Sequence, residues 1–245
     1  IRDSNGNIAY TSTVSGMQRS GTDDGPIDIF VSKNSGEYWE LAGVCETCGG
    51  AKFMAVQPGD SSVVWAATNN GVQVSRDAGA TWSGNLLSEY TLNSHMLGVA
   101  LRPGDPDTIL AAGSESGMFR STDGGATWES VNTGLNTRLL HHVTFASSNS
   151  DVAYVATHEG VYRSDDAGLS WIERNNGLQY KFTTPIAVDQ RNEDIVLAGS
   201  ASEVYTTHPN HYNPGLHEGE GLYKTVDGGS NWFRSDSGVD EAKLV

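Results

Sequence analysis

An eight-residue motif that recurs five times constrains this chain more than any other feature. Its copies begin at Ser32, Ser75, Ser121, Ser164 and Thr225, and the copy from Ser121 reads Ser-Thr-Asp-Gly-Gly-Ala-Thr-Trp. Five of the six tryptophans close a copy, at successive spacings of 43, 46, 43 and 61 residues. A repeat of this length with one turn motif in each unit is typical of propellers and solenoids. The sequence therefore predicts a repeat architecture.

Short apolar segments recur between the motifs in the same order in every unit. In the third unit they are residues 97–101, 108–112, 117–121 and 127–131, with a turn over residues 103–107. The first two are nearly continuous in small and β-branched residues, as expected of strands buried on both faces. Four-stranded sheets repeated radially make a β-propeller. We therefore predict an all-β fold, a β-propeller of four-stranded blades, since the alternative β-sandwich would not repeat one motif so regularly.

The length of 245 residues suits one propeller domain. We predict a single domain over residues 1–245, with blade units over about residues 1–43, 44–90, 91–135, 136–178 and 179–245. The first unit lacks an inner strand, the last ends just before one, and neither an initiator Met nor a signal peptide precedes Ile1. These ends lead us to expect a processed product or a segment of a larger propeller, with a closed five-bladed ring as the alternative.

The motif itself is interpreted as a structural turn. Its hydroxyl and carboxylate can accept backbone N–H bonds, its Gly tolerates positive φ, and its Trp buries a large ring. One copy in each blade spreads the acids around a ring instead of bringing them to one pocket. The residues that we assign to this structural role are Asn34, Trp39, Asp77, Trp82, Asp123, Trp128, Asp166, Trp171, Asp227 and Trp232.

The motif resembles the Asp-box, or bacterial neuraminidase repeat, Ser-x-Asp-x-Gly-x-Thr-Trp, over essentially the whole chain. The copies at Ser75 and Ser121 match it at every defined position. The pairs Phe119-Arg120 and Tyr162-Arg163 before the motif are most similar to one branch of sialidase-like propellers. That branch contains photosystem II assembly factors, sortilin-type receptors and xyloglucan-cleaving hydrolases. The resemblance implies that the motif turns lie opposite the usual ligand face, and it implies no reaction, because these relatives include enzymes and binding modules.

The charge balance narrows the range of partners. The formal net charge is −15, from 30 acidic and 15 basic residues. Such a surface repels phosphate backbones and anionic membranes, so we expect no nucleic-acid partner. No segment approaches the roughly 18 apolar residues that span a bilayer, so we expect no membrane insertion. The expected partners are a protein or polysaccharide ligand, together with further blades or domains of a parent chain.

The two cysteines form one close pair, Cys45 and Cys48. With no other cysteine, a four-thiolate zinc site within this chain is impossible. We expect a local disulfide, which would place the protein in an oxidising compartment, extracellular or periplasmic. Two free thiols are the alternative.

The loops that join the second strand of a unit to the third share one face of a propeller with the loops that join units. The former are long in the first unit, from Thr11 to Pro26, and in the fifth, from Ser200 to Glu220. Long insertions on a repeat scaffold usually carry binding function. The predicted ligand-binding residues are aromatic and hydrogen-bonding groups of this face: His95, Arg138, His141, His158, Tyr180, Lys181, His208, His211 and Tyr212.

A metal site in the fifth-unit loop is the alternative for its histidines. His208, His211 and His217 with Glu218 have suitable donor atoms, but a loop lacks the fixed spacing of two ligands on a helix. We therefore expect no metal and no cofactor.

The leading hypothesis is a non-catalytic, extracytoplasmic binding propeller that recognises a protein or a glycan through its loop face. The alternative is a glycoside hydrolase of the xyloglucanase or sialidase kind, or a portion of one. It needs two carboxyl groups about 5–10 Å apart, one with a raised pKa. The candidate catalytic acids are Asp23, Asp24, Glu115, Glu159 and Glu218. An assembly factor, the third hypothesis, would usually show a basic patch that this chain lacks.

Overall fold

The computed structural model describes residues 6–12, 26–91, 95–201 and 221–237. These residues form antiparallel β-strands and no helix, and therefore none that could cross a membrane. The chain divides into two compact units, residues 1–131 and 132–245.

Unit 1 contains three antiparallel sheets. The strands of the first sheet are β1 (Ala9–Ser12), β2 (Ile27–Ser32) and β3 (Glu40–Cys45). The strands of the second are β4 (Ala51–Gln57), β5 (Asp60–Thr68) and β6 (Gly71–Ser75). The strands of the third are β7 (Met96–Arg102), β8 (Asp105–Gly113), β9 (Gly117–Ser121) and β10 (Glu129–Ser130).

Unit 2 contains two four-stranded sheets, which we call the fourth and the fifth. The strands of the fourth are β11 (Leu140–Phe145), β12 (Ala153–Thr157), β13 (Gly160–Ser164) and β14 (Ile172–Glu173). The strands of the fifth are β15 (Phe182–Val188), β16 (Val196–Ala201), β17 (Gly221–Thr225) and β18 (Phe233–Arg234). In every sheet, each strand pairs with the next along the chain. The strand order is therefore that of propeller blades.

The second sheet departs from the predicted four strands. In place of a fourth strand, a single pair of hydrogen bonds joins Ser83 to Val74 of β6. The Ser83 N–H donates to Val74 O at 2.9 Å. In return, the Val74 N–H donates to the Ser83 side-chain oxygen, also at 2.9 Å. Because a hydroxyl oxygen replaces the backbone carbonyl, the chain stays close to β6 without forming a strand.

The predicted turn over residues 103–107 is too long. Strand β8 already begins at Asp105, which pairs with Arg102 across a two-residue connection. Gly104 closes this connection with φ at 78°, a conformation in which other residues are strained. A register shift beside Arg102 accommodates the hairpin. Some of the prolines and aspartates that indicated a long turn therefore lie in strand β8.

The cores lie between neighbouring sheets of the same unit. In unit 1, Trp65 of the second sheet shares a buried cluster with Phe119 and Trp128 of the third. In unit 2, Tyr154 of the fourth sheet shares one with Tyr223 of the fifth. Sheets that are buried in this way on their facing sides hold the loop ends of their strands in fixed positions.

The motif uses its polar groups within its own turn. In the third copy, the Ser121 hydroxyl oxygen accepts the Gly125 N–H at 2.9 Å. The Asp123 carboxylate accepts the Thr127 N–H at 2.8 Å and the Thr127 hydroxyl at 2.6 Å. The hydroxyl bond, followed by the N–H bond, lowers the pKa of Asp123 to about 2. A carboxylate held in this way has its acceptor atoms occupied and stays ionised.

Candidate functional site

Several predicted site residues lie at one end of the sheets of unit 2. His158 and Glu159 form the hairpin between β12 and β13, and His141 lies near the start of β11. Tyr180 and Lys181 immediately precede β15. The motif turn joins β13 to β14 at their other ends, so the hairpin and the motif lie at opposite ends of the fourth sheet. This is the arrangement that the Asp-box resemblance implies.

A β-bulge sets the position of His141. Leu140 pairs with Thr157 and His142 pairs with Ala156, so His141 is the extra residue of the bulge. An extra residue re-aims its side chain relative to a regular strand. Bulges recur at the starts of the other inner strands, β4, β7 and β15, so this feature belongs to the repeat.

Three rings meet beside this bulge. The rings of His141 and His158 stack with centroids 4.7 Å apart and an interplanar angle of 23°. Phe182 approaches the His158 ring edge-on at 4.6 Å and the His141 ring at 4.9 Å. We call these three residues the His–Phe cluster. Phe182 was not among the predicted ligand-binding residues, and an aromatic next to Tyr180 and Lys181 was the available signal.

A buried threonine holds the cluster together. The Thr183 side-chain oxygen accepts the Thr157 N–H at 3.2 Å and lies 3.1 Å from Thr157 O and 3.0 Å from Gly160 O. Thr183 is fully buried and follows Phe182 in the chain. These bonds tie the start of β15 to the β12–β13 hairpin, so that Phe182 is held against His158.

His141 is neutral at physiological pH. Burial, followed by the charge of His158, lowers the pKa of His141 from 6.5 to about 4. Its Nε2 atom is buried and has no hydrogen-bond partner among the described residues. Burial likewise lowers the pKa of the neighbouring His142, whose Nδ1 accepts the Ile186 N–H at 3.4 Å. The site therefore presents an uncharged imidazole at His141.

A network of polar side chains lies on the same end of the fourth sheet. Glu173 Oε1 accepts a hydrogen bond from Asn175 at 2.7 Å and forms an ion pair with Lys181 at 3.1 Å. The same two partners, Asn175 first, lower the pKa of Glu173, and the bond to Glu173 raises the pKa of Lys181. Asn175 also donates to Glu159 O at 2.8 Å and accepts the Val161 N–H at 2.8 Å. Lys181 and Glu173 are exposed and charged, so they can contact a ligand directly.

The remaining predicted binding residues belong to neither the His–Phe cluster nor the polar network. Arg138 is exposed, on the connection that leads into β11. His95 lies in unit 1 just before β7, where its carbonyl accepts the Ser114 N–H at 3.0 Å. The predictions for His208, His211 and Tyr212 lie outside the described residues. Within the described ranges, no group of three or more His, Cys, Asp or Glu side chains is placed to hold a metal ion.

Two of the five candidate catalytic acids lie among the described residues, one in each unit. Glu115 lies on the β8–β9 hairpin of unit 1 and Glu159 on the β12–β13 hairpin of unit 2, whereas Asp23, Asp24 and Glu218 lie outside the described residues. A glycosidase acid needs a raised pKa. Where the pKa of a described carboxyl group is shifted, it is lowered.

A disulfide closes the end of the first sheet. Cys45 and Cys48 are joined with their Cα atoms 5.5 Å apart, and both are buried. Thr47, between them, donates its hydroxyl to Gln73 Oε1 at 3.0 Å and accepts the Gln73 amide at its own carbonyl at 2.9 Å. The disulfide closes the loop on itself, and the two bonds to Gln73 fasten the loop to the second sheet.

Known proteins of similar sequence or structure include polysaccharide-cleaving enzymes and a peptide-bound protein. Xyloglucanase Xgh74A of Acetivibrio thermocellus is 27% identical over an alignment that covers 49% of this chain and 18% of the enzyme. The GH74 enzyme of Niastella koreensis superposes with a TM-score of 0.71 at 20% identity, covering 93% of this chain and 36% of that one. The structure of YCF48 bound to D1 peptide superposes with a TM-score of 0.54 at 17% identity, covering 89% of this chain and 63% of that one. The chain thus spans 18% of the curated relative's length, and these superpositions confirm the predicted β-propeller fold.

The family assignment comes from the second half of the chain. Residues 116–244 match the Sortilin-Vps10 family, described as sortilin, neurotensin receptor 3. This range covers more than half of the 245 residues and includes the last three motifs. The chain belongs to the Sortilin-Vps10 family of Asp-box propellers.

Proposed function

We propose that this chain is a non-catalytic binding propeller of an extracytoplasmic compartment, which holds a glycan or protein ligand at the His–Phe cluster. The observation that carries the proposal is the meeting of three rings, His141, His158 and Phe182, at the loop end of unit 2. Apolar ring faces beside a few fixed polar groups are typical of sites for sugars and extended peptides.

The polar network supports the same proposal. Lys181 and Glu173 are exposed, and Asn175 fixes the Glu173 carboxylate at 2.7 Å. Such groups offer donors and acceptors in set directions, which a sugar hydroxyl or a peptide backbone can satisfy. The rings supply contact area and the network supplies orientation.

The use of the acids argues for binding rather than catalysis. The motif aspartates are engaged within their own turns, as Asp123 is with Thr127. Glu173 is paired with Lys181 and has a lowered pKa, so it is unsuited to act as a general acid at neutral pH. Binding needs none of these groups to release or accept a proton.

The compartment is inferred from the disulfide and the relatives. A disulfide between Cys45 and Cys48 persists in oxidising surroundings. The proposed extracellular or periplasmic location agrees with the polysaccharide that the relative's name, xyloglucanase, implies.

Binding to immobilised glycans is the direct test, and xyloglucan is the first ligand to use because of the relative's name. We expect binding by the unaltered chain and a loss of about tenfold or more in Phe182→Ala and His158→Ala. Phe233→Ala, an exposed aromatic of β18 outside the cluster, is the matched control and should bind normally. A panel of extended peptides forms the second arm. Undiminished binding of every ligand by both cluster variants would refute the assigned site.

A portion of a glycoside hydrolase is the second candidate function. The 27% identity to a xyloglucanase favours it. Glu115 or Glu159 would then act with a carboxyl group that other residues supply. Release of oligosaccharides from xyloglucan, abolished by Glu159→Gln or Glu115→Gln, would support this candidate and contradict the binding-only proposal.

A further inference from the structure

Asn175 joins two parts of the loop end of the fourth sheet. Its Oδ1 atom accepts the Val161 N–H at 2.8 Å. Its Nδ2 atom donates to Glu159 O at 2.8 Å and to Glu173 Oε1 at 2.7 Å. Glu159 lies on the hairpin that carries His158, whereas Glu173 ends β14. One amide therefore fixes the hairpin and an exposed carboxylate relative to each other.

The fifth sheet repeats this arrangement with different charges. Asp236 and Arg234 follow their motif tryptophan by four and two residues, as Asn175 and Glu173 do in the fourth sheet. Arg234 Nε donates to both carboxylate oxygens of Asp236 at 2.8 Å. The fourth sheet thus holds a carboxylate with an amide, and the fifth sheet holds a guanidinium with a carboxylate.

Asn175 and Asp236 fill the same space, above the glycine of a hairpin. A Cβ atom on Gly160 would lie 2.0 Å from Asn175 Oδ1, and one on Gly221 would lie 2.2 Å from Asp236 Oδ2. The two side chains have the same shape and differ in hydrogen bonding, because an ionised aspartate only accepts whereas an asparagine also donates. The choice between Asn and Asp therefore decides whether a carboxylate or a cation can be held two residues earlier.

The carboxylate that Asn175 holds is suited to one kind of ligand group. Glu173 Oε1 and Lys181 Nζ are 3.1 Å apart, and their side chains are 39% and 50% exposed. A hydroxyl group can accept from Lys181 and donate to Glu173 at the same time, whereas a carboxylate only accepts and a peptide N–H only donates. The net charge of −15 repels acidic ligands as well. The pair therefore favours a neutral ligand that is rich in hydroxyl groups.

We propose that Asn175 is a positioning residue that orients Glu173 to accept a hydrogen bond from a sugar hydroxyl, so that the site takes neutral glycans and rejects acidic ones. This inference rests on the proposed function and narrows its ligand, from a glycan or a protein to a glycan without carboxylate groups. The pairing of Asn175 with Glu173 sets this preference. The pairing of the fifth sheet, introduced at the same two positions, should reverse it.

Binding of the full chain to two immobilised polysaccharides tests the proposal. Xyloglucan is neutral, and polygalacturonate carries a carboxylate on each sugar. We expect the unaltered chain to bind xyloglucan and not polygalacturonate. Asn175→Asp brings a second carboxylate against Glu173, where the two repel each other, and should weaken xyloglucan binding by about tenfold or more.

A double variant, Asn175→Asp with Glu173→Arg, copies the pair of the fifth sheet and separates stability from positioning. It should regain in urea unfolding the stability that Asn175→Asp loses, since arginine donates to aspartate. Its xyloglucan binding should nevertheless stay about tenfold or more below that of the unaltered chain, and polygalacturonate binding should appear. Should the double variant be unstable, Glu173→Gln keeps the shape and the bond from Asn175 but removes the ionised acceptor, and it should also weaken xyloglucan binding.

Glu37→Arg is the matched control, because Glu37 is an exposed residue of the first motif turn and its replacement changes the net charge as Glu173→Arg does. It should bind xyloglucan like the unaltered chain. Undiminished xyloglucan binding in Asn175→Asp or in the double variant would overturn the proposal, and so would equal binding of both polysaccharides by the unaltered chain. An unaltered chain that binds only peptides would overturn this proposal and leave the proposed function standing, whereas one that binds neither glycans nor peptides would refute both.

Discussion

The ring of His141 stacks on that of His158 because the extra residue of a β-bulge turns toward the next hairpin. The pair is closed by Phe182, which Thr183 holds in place. Two imidazoles this close cannot both be charged without repulsion, and burial disfavours the charge on His141 further. The His141 ring of the stack is therefore neutral at physiological pH.

Acid should destabilise the fold through His141. Its pKa is about 4 in the fold and 6.5 ordinarily, so the unfolded chain binds more protons between these values. The stabilisation is present above about pH 6.5 and is lost as the pH falls through about 4. His141→Phe should reduce this loss of unfolding free energy by about 1–2 kcal/mol. This range is smaller than the full pKa shift implies, because solvent screens the exposed part of the ring.

Urea unfolding at pH 7 and pH 4.5 measures this difference. Val155→Ala removes buried apolar atoms and no titratable group, so it is the control and should lower the free energy of unfolding equally at both pH values. An identical pH dependence in His141→Phe would contradict the assignment.

Removal of the Thr183 hydroxyl should loosen the cluster. Thr183→Val keeps the shape but leaves the Thr157 N–H without its acceptor in a buried position. We expect a loss of about 1–3 kcal/mol in the free energy of unfolding, and weaker ligand binding because Phe182 is no longer fixed. Thr144→Val, on the half-buried outer part of β11, is the control. Calorimetry measures the loss of stability, and the glycan assay measures ligand binding. Unchanged ligand binding in Thr183→Val would argue against a role of Thr183 in positioning Phe182.

Gly160 should not tolerate a side chain. Its φ is 107°, and a Cβ atom would lie 2.0 Å from Asn175 Oδ1, the acceptor of the Val161 N–H. Gly160→Ala should therefore cost about 2–4 kcal/mol, as strain adds to a displaced hydrogen bond. Gly104→Ala is matched in backbone conformation, with φ at 78° and open space around it, and should cost only about 1–2 kcal/mol. Equal losses of stability in urea would show that the contact with Asn175 is unimportant.

The motif tryptophans should differ in their contribution to stability. Trp128 is 5% exposed and Trp39 is 37% exposed, although both occupy the same motif position. Trp128→Ala should cost about 3–5 kcal/mol and Trp39→Ala clearly less, measured by urea unfolding. Comparable losses would indicate that the Trp39 ring is covered in the isolated chain.

The motif was readable from sequence because its hydrogen bonds close within eight residues. Ser121, Asp123 and Thr127 meet through local turn geometry, whatever surrounds them. Even Asn34 in the most degenerate copy accepts two hydrogen bonds, from the Tyr38 N–H and from the Ser32 hydroxyl, both at 2.9 Å. The strands followed from the apolar segments between copies, with errors at Ser83 and Asp105, where a side-chain oxygen and a glycine turn altered the pairing.

The arrangement of the predicted binding residues was only partly predictable from the sequence. His141, His158, Tyr180 and Lys181 were expected on one face because the repeat places their loops there. Their mutual contacts were not predictable, and Phe182 was missed, because stacking depends on the bulge in β11 and the register shift in β15. A register shift of one residue moves a side chain to the other face of the sheet. The hydrophobic pattern of the sequence does not encode where such a shift occurs.

The repeat, the order of the strands and the family follow from the amino-acid sequence alone, since they depend on local turn chemistry and on periodicity along the chain. The meeting of the rings at the loop end of unit 2 and the exposure of one motif tryptophan were visible only in the folded chain. Both depend on how one sheet packs against another, which is a matter of register and of distant neighbours. The same motif position is buried at Trp232 and open at Trp39 for that reason alone.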